Sequence, residues 1–255
     1  MWQFGAIDFS TLQPDLLTRE DVEAVRAAML VESHNPVYTQ RLLEYFRHDH
    51  EMSAFVVTWA YEEMKHYGVL RAYLEATGRV DLQDVTRELE VTRAGQWGDE
   101  EVGFTTLQSY TYTMLQEEIT GLFYKRFAET TREPLLKSIL QLIGRDEYRH
   151  CQYYLEKGRQ ELATDRGHIR EVDEILLGFQ MPGPSFIENY EVHSQAMLRV
   201  AKIDIAAMKE ILDKVAQLTG RLHLLKLTTD RAFHRKLRDE WGVDLPQVLA
   251  AVRRG

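Results

Sequence analysis

Only two of the nine histidines in this 255-residue chain follow a glutamate by three positions, and both pairs fall inside an otherwise apolar helical stripe. That placement restricts the fold more than any other feature. In FVVTWAYEEMKHYGVLRAYL, Phe55, Trp59, Glu63, His66, Leu70 and Tyr73 recur at steps of three and four, so Glu63 and His66 share a face with core residues. In LLKSILQLIGRDEYRHCQYYL, Leu136, Leu140, Ile143, Glu147, His150 and Tyr154 repeat the spacing. A carboxylate buried without compensation costs several kcal/mol and is normally excluded from a bundle core. A chain that buries these two stripes must therefore supply positive charge.

Two further glutamates complete a pattern. Glu32 precedes Glu63 by 31 residues and Glu117 precedes Glu147 by 30, so the chain reads as one helical hairpin repeated. Each half carries a lone Glu on one helix and Glu-x-x-His on the next, the ligand plan of ferritin-like di-iron and di-manganese proteins. Four carboxylates balance two divalent ions. Oxygen-rich ligation with two imidazoles and no thiolate suits iron or manganese better than zinc or copper. Two positions leave alternatives open. His34 lies close enough to Glu32 to compete, and Glu118 adjoins Glu117, which is preferred because Met114, Glu117, Gly121 and Tyr124 form one stripe.

A 44% hydrophobic content lets the chain bury a substantial core, and nothing marks a second domain, so a single ferritin-like domain is expected over residues 1–255. Few glycines and prolines and little strict alternation point to an all-α fold. No run of about 18 apolar residues predicts a membrane span. The N-terminal residues lack the basic start of a secretion signal, and the single cysteine, Cys151, excludes an intrachain disulfide, so a cytoplasmic setting is expected. The net charge of −9 argues against nucleic-acid binding, which needs a basic face. The densest basic run, Arg231 to Arg238, suits either an acidic partner or a solvated helix face.

The spacing predicts a first helix from Thr18 or Arg19 to Arg47, kinked at Pro36, and a second from the polar RHDHE link to a Gly78 cap. A crossover helix is expected over Asp81–Ala94, broken by GQWGDE. A third helix follows at Glu101–Thr130 and a fourth at Arg132–Thr164, with Pro134 in its first turn. The metal bundle thus occupies residues 18–164. Residues 165–255 form a helical extension with one long helix near Ser185–Thr219 and one or two short ones. Around the metal, Asp146 is placed to orient an imidazole. Thr120, one turn past Glu117, presents a hydroxyl toward bound oxygen. These two are the candidate catalytic residues. Trp59 and Tyr110, Tyr112, Tyr124, Tyr153 and Tyr154 read as bundle core.

At these residues the chain resembles the soluble acyl-acyl carrier protein desaturases, a di-iron branch of the ferritin-like superfamily. TWAYEEMKHYGVLRAYLEATGRVD is similar to that family's second ligand helix, through its trailing Gly78 to Asp81. YTMLQEEIT is similar to the third, RDEYRH to the fourth, and VESHNPVY to the first. The resemblance runs over roughly Leu16 to Leu162, and the chain departs from plant members in lacking an N-terminal extension, in a shorter first interhelix loop and in a truncated C-terminal region. It implies metal ligands Glu32, Glu63, His66, Glu117, Glu147 and His150, and an oxygen-site threonine at Thr120. It also implies a ferredoxin-like electron donor, an acyl carrier protein delivering the substrate, and a homodimer. The expected activity is oxygen-dependent desaturation of a fatty acyl chain by two iron ions. The alternatives are a di-iron hydroxylase or N-oxygenase, and a ferroxidase, which the single extension beyond the bundle disfavours.

Overall fold

A computed structural model describes residues 2–94, 103–181, 187, 189–201, 204–227 and 230–241. Among these residues the fold is all-α, with eleven helices and four short 3-10 turns. In chain order the helices are α1 (Arg19–Glu32), α2 (Asn35–Tyr45), α3 (His50–Thr77), α4 (Leu82–Ala94), α5 (Thr106–Thr130) and α6 (Pro134–Thr164). Then follow α7 (Ile169–Gly178), α8 (Tyr190–Val200), α9 (Ile205–Thr219), α10 (Arg221–Leu227) and α11 (Arg231–Trp241). They gather into two compact units. The first comprises residues 1–100, 124–146 and 182–201, the second residues 101–123, 147–181 and 202–255. Both α5 and α6 are divided between them.

Local chemistry sets the helix ends. Thr18 and Asp21 form a reciprocal capping box that starts α1. Thr105 and Gln108 do the same for α5. The expected single helix through Pro36 is instead two helices. Proline has no N–H to return to the Glu32 carbonyl and its ring crowds that carbonyl, so α1 stops at Glu32 and Pro36 occupies the first turn of α2. Ser33 Oγ closes the break on the Leu30 carbonyl at 2.7 Å. The α3 helix starts on Asp49, whose carboxylate accepts from Met52 N at 2.9 Å, and ends at Gly78 with φ +60°, as expected of a glycine cap. The long helix expected near Ser185–Thr219 is also two, α8 and α9. Asp204 caps α9 by accepting from Ala207 N. Residues 95–102, which hold the GQWGDE break and the expected start of the third helix, and residues 182–186, which hold Ser185, lie outside the described residues.

In the first unit α1 packs on α3 and α8, and α2 on α3. Ala24, Val25, Ala28 and Met29 of α1 and Val56, Trp59, Leu70 and Tyr73 of α3 are buried. Glu133 anchors the start of α6 in the same unit. Fully buried, it accepts from Leu135 N, Leu136 N, Gln13 N and the Tyr73 hydroxyl, so its charge is satisfied by four donors. In the second unit α9 packs on α10 and α7 on α11. At Gly158 of α6 a Cβ would lie 2.9 Å from Leu218 Cδ1, so the Leu218 side chain packs directly on the glycine.

Candidate metal centre

In the first unit the end of α1 and the middle of α3 bring together Glu32, Glu63 and His66, all buried, with donor atoms within 4.8 Å of one another. His66 Nδ1 lies 3.8 Å from Glu63 and 4.0 Å from Glu32. Its other nitrogen, Nε2, is 3.2 Å from Asp146 Oδ2. Donation of the Nε2 proton to that carboxylate leaves Nδ1 with a lone pair directed at the two glutamates, the tautomer a metal ligand requires.

The same Asp146 oxygen also receives Trp2 Nε1 at 2.8 Å and faces Lys65 Nζ at 3.1 Å. Burial alone would raise the carboxyl's pKa, but the hydrogen bonds of His66 and Lys65 and the Lys65 charge override it and hold the value at about 2. Lys65 Nζ in turn sits 4.1 Å from the centre of the Trp2 ring, which stacks parallel to the His66 ring at 6.4 Å. The buried Tyr124 hydroxyl donates to Glu32 Oε1. That bond holds one carboxylate oxygen and leaves Oε2 on the His66 side.

The second unit repeats the arrangement. Glu117 of α5 and Glu147 and His150 of α6 are buried with donor atoms within 4.8 Å of one another. His150 Nδ1 is 3.4 Å from Glu117 and 3.5 Å from Glu147. Burial pushes the Glu117 carboxyl up to about 8, with the neighbouring Glu147 charge adding to it and His150 opposing it. Two acids and an imidazole crowded out of water are unfavourable by themselves and become favourable around a divalent cation. Each unit thus offers two carboxylates and one imidazole, a donor set that fits iron and includes no thiolate.

The open positions are placed by geometry. His34 is buried with Nδ1 on the Leu30 carbonyl at 2.8 Å, closing the end of α1. Glu118 is as buried as Glu117 but meets Cys151 Sγ at 3.3 Å and Lys214 Nζ of α9 at 3.6 Å, whereas Glu117 meets the imidazole. Burial raises the Glu118 carboxyl and the Cys151 thiol above their ordinary values. Thr120 is half-buried on α5. In the basic run, Arg231, Arg235 and Arg238 are exposed, but Lys236 is buried and donates to the Phe179 carbonyl at 2.7 Å. It belongs to the packing of α11 and so to neither the solvated face nor the surface for an acidic partner that the run suggested.

A family model described as fatty acid desaturase matches residues 15–252. The chain belongs to the fatty acid desaturase family. Among curated relatives, a palmitoyl-[acyl-carrier-protein] 4-desaturase 2 of Ophrys arachnitiformis subsp. archipelagi is 31% identical over 42% of this chain and 29% of its own length. A putative acyl-[acyl-carrier-protein] desaturase, DesA1, of Mycobacterium tuberculosis (strain CDC 1551 / Oshkosh) is 26% identical over 67% of this chain and 53% of its own. A stearoyl-[acyl-carrier-protein] 9-desaturase 6 of Arabidopsis thaliana is 26% identical over 66% and 45%. The chain spans about half the length of these relatives or less.

Within this family member, three residues near the donor sets escaped sequence reasoning. Trp2 reaches Asp146 across 144 positions, a contact no local periodicity encodes. Lys65 looks like an ordinary surface lysine in EEMKH. Only its burial beside Asp146 gives it a role. Tyr124 was visible in the Glu117 stripe, but the stripe identifies a core position and not the hydroxyl's partner. No helix among the described residues is long and apolar enough to cross a membrane.

Proposed function

We propose that this family member is an oxygen-dependent di-iron desaturase that acts on a fatty acyl chain delivered by acyl carrier protein. The observation that carries the reading is the duplicated set of buried donors, Glu32, Glu63 and His66 in one unit and Glu117, Glu147 and His150 in the other. These six residues are the proposed ligands of two iron ions. When bound, the iron pair supplies the oxygen activation needed to remove two hydrogens from an unactivated pair of methylenes.

The chain's own residues supply position, charge and dryness. Asp146 fixes the His66 tautomer, and Tyr124 holds one oxygen of Glu32. Buried side chains of α1, α3, α5 and α6 keep bulk water from the donors. Thr120 is the proposed hydroxyl on the oxygen side of the centre. Electrons come from a ferredoxin-like donor, and the enzyme works as a homodimer in the cytoplasm. The relatives' names support the acyl-carrier reading, since all three are named acyl-carrier-protein desaturases.

Anaerobic loading with ferrous iron, metal analysis, and then oxygen with a reduced ferredoxin and acyl carriers of several chain lengths test the proposal. Two irons per chain and a monounsaturated product are expected. Two irons with an alcohol product would make the protein a hydroxylase on the same site. One iron or none would overturn the metal assignment.

A further inference from the structure

The segment ahead of α1 is fastened to the first unit near its two ends. At its root, Arg79 donates to the carbonyls of Pro14 at 2.6 Å and Leu17 at 3.0 Å, and Gln13 N donates to Glu133. Toward the other end the 3-10 turn Phe4–Ala6 packs on α3, with the Phe4 ring over Gly68, where a Cβ would stand 3.8 Å from it. Trp2 Nε1 then reaches Asp146 Oδ2 at 2.8 Å. Between these points the chain is thinly packed. Of residues 2–17, Leu17 alone is buried, and the Asp8 carboxylate caps its own turn by accepting from Ser10 N. A segment with so little buried apolar surface opens locally while the helices beneath it stay folded.

What that segment covers is the supported side of the first donor set. Trp2 is partly exposed, whereas His66 and Asp146 are 0% and 2% exposed. The indole is therefore the layer between this pair and solvent. Its ring lies parallel to the imidazole at 6.4 Å, and the buried Lys65 ammonium sits 4.1 Å from its centre. With the indole lifted, water reaches Asp146 and competes for the Nε2 proton of His66. The imidazole is then no longer held in the tautomer and orientation that present Nδ1 to Glu32 and Glu63.

We propose that residues 2–17 form a strap with Trp2 as its latch, and that metal enters and leaves the Glu32, Glu63 and His66 donors when the strap lifts. The coupling runs both ways: if closure tightens the site, a bound ion must favour closure by the same factor. The inference rests on the metal assignment made above, and its test separates the two.

Cobalt(II)-loaded protein mixed with excess EDTA reports release through loss of visible absorbance. Trp2→Ala is expected to speed one of two release phases at least tenfold and to leave the other, from Glu117, Glu147 and His150, within twofold. Arg79→Ala is expected to speed the same phase, although Arg79 follows the end of α3, roughly 16 Å along the helix from His66. An effect from that distance marks the strap, because Arg79 holds only its root. Amide exchange over residues 4–17 is expected to slow at least fivefold when the wild type is loaded. Wild-type release from either variant, or exchange that ignores the metal, overturns the strap. So does acceleration of both phases together with a lowered urea midpoint of the metal-free variant, which would be general loosening. If Trp2→Ala does not fold, Arg79→Ala and the exchange measurement still decide. A wild type that binds no cobalt overturns the metal assignment and the strap together, whereas bound cobalt with unchanged release overturns the strap alone.

Discussion

Replacing Asp146 by Asn keeps the side chain's shape and one carbonyl oxygen but removes the charge that Lys65 and His66 face from inside the protein. The folded carboxyl titrates at about 2, against a reference value of 3.8. A difference of about 1.8 units at about 1.36 kcal/mol per unit gives roughly 2–3 kcal/mol of stability in the metal-free protein. Because the folded value is depressed, that stability is fully present above pH 3.8 and is lost as pH falls through 2. Urea unfolding of metal-free wild type and Asp146→Asn should therefore differ by roughly 2–3 kcal/mol at pH 7 and by about half of that near pH 3. Equal stability at pH 7 would refute the electrostatic role. A gap that persists unchanged down to pH 3 would show that shape, not charge, is what Asp146 contributes.

Glu117 gives the opposite sign. Its carboxyl is raised from 4.5 to about 8, so the folded metal-free protein keeps a proton that the unfolded chain releases. Stability should fall as pH rises between those values, and cobalt(II) affinity should climb with pH up to about 8 because the ion displaces that proton. A flat affinity between pH 5 and 8, by titration calorimetry, would contradict this. Tyr124→Phe removes the hydroxyl that holds Glu32. Metal affinity should drop about tenfold, with a changed visible spectrum of the cobalt-loaded protein, as for other residues that orient ligands. An unchanged spectrum would reduce Tyr124 to core packing.

The chain's order along one dimension determined much of this. Helix-period burial of Glu63, His66, Glu147 and His150 was legible because a 3.6-residue period puts i and i+3 on one face whatever the surroundings. The start of α1 at its capping box and the end of α3 at Gly78 were legible for the same reason, since caps depend on neighbours a few residues away. The break after Glu32 was underestimated as a kink. Proline's missing N–H is a local fact, but whether a helix bends or stops depends on what else can satisfy the freed carbonyls, here Ser33 and His34 turning back on Leu30.

What only the tertiary structure decided is which buried polar group meets which. Glu117 and Glu118 are neighbours in sequence and nearly equal in burial. A step of about 100° around α5 sends one to His150 and the other to Cys151 and Lys214. Lys65 and Lys236 read as surface cations, yet Asp146 and the Phe179 carbonyl lie within hydrogen-bonding reach of their ammonium groups and make burial tolerable. Trp2 completes the Asp146 cluster from the far end of the sequence. Local periodicity fixes the face on which a side chain lies, whereas the identity of its partner is set by which distant segment packs against that face.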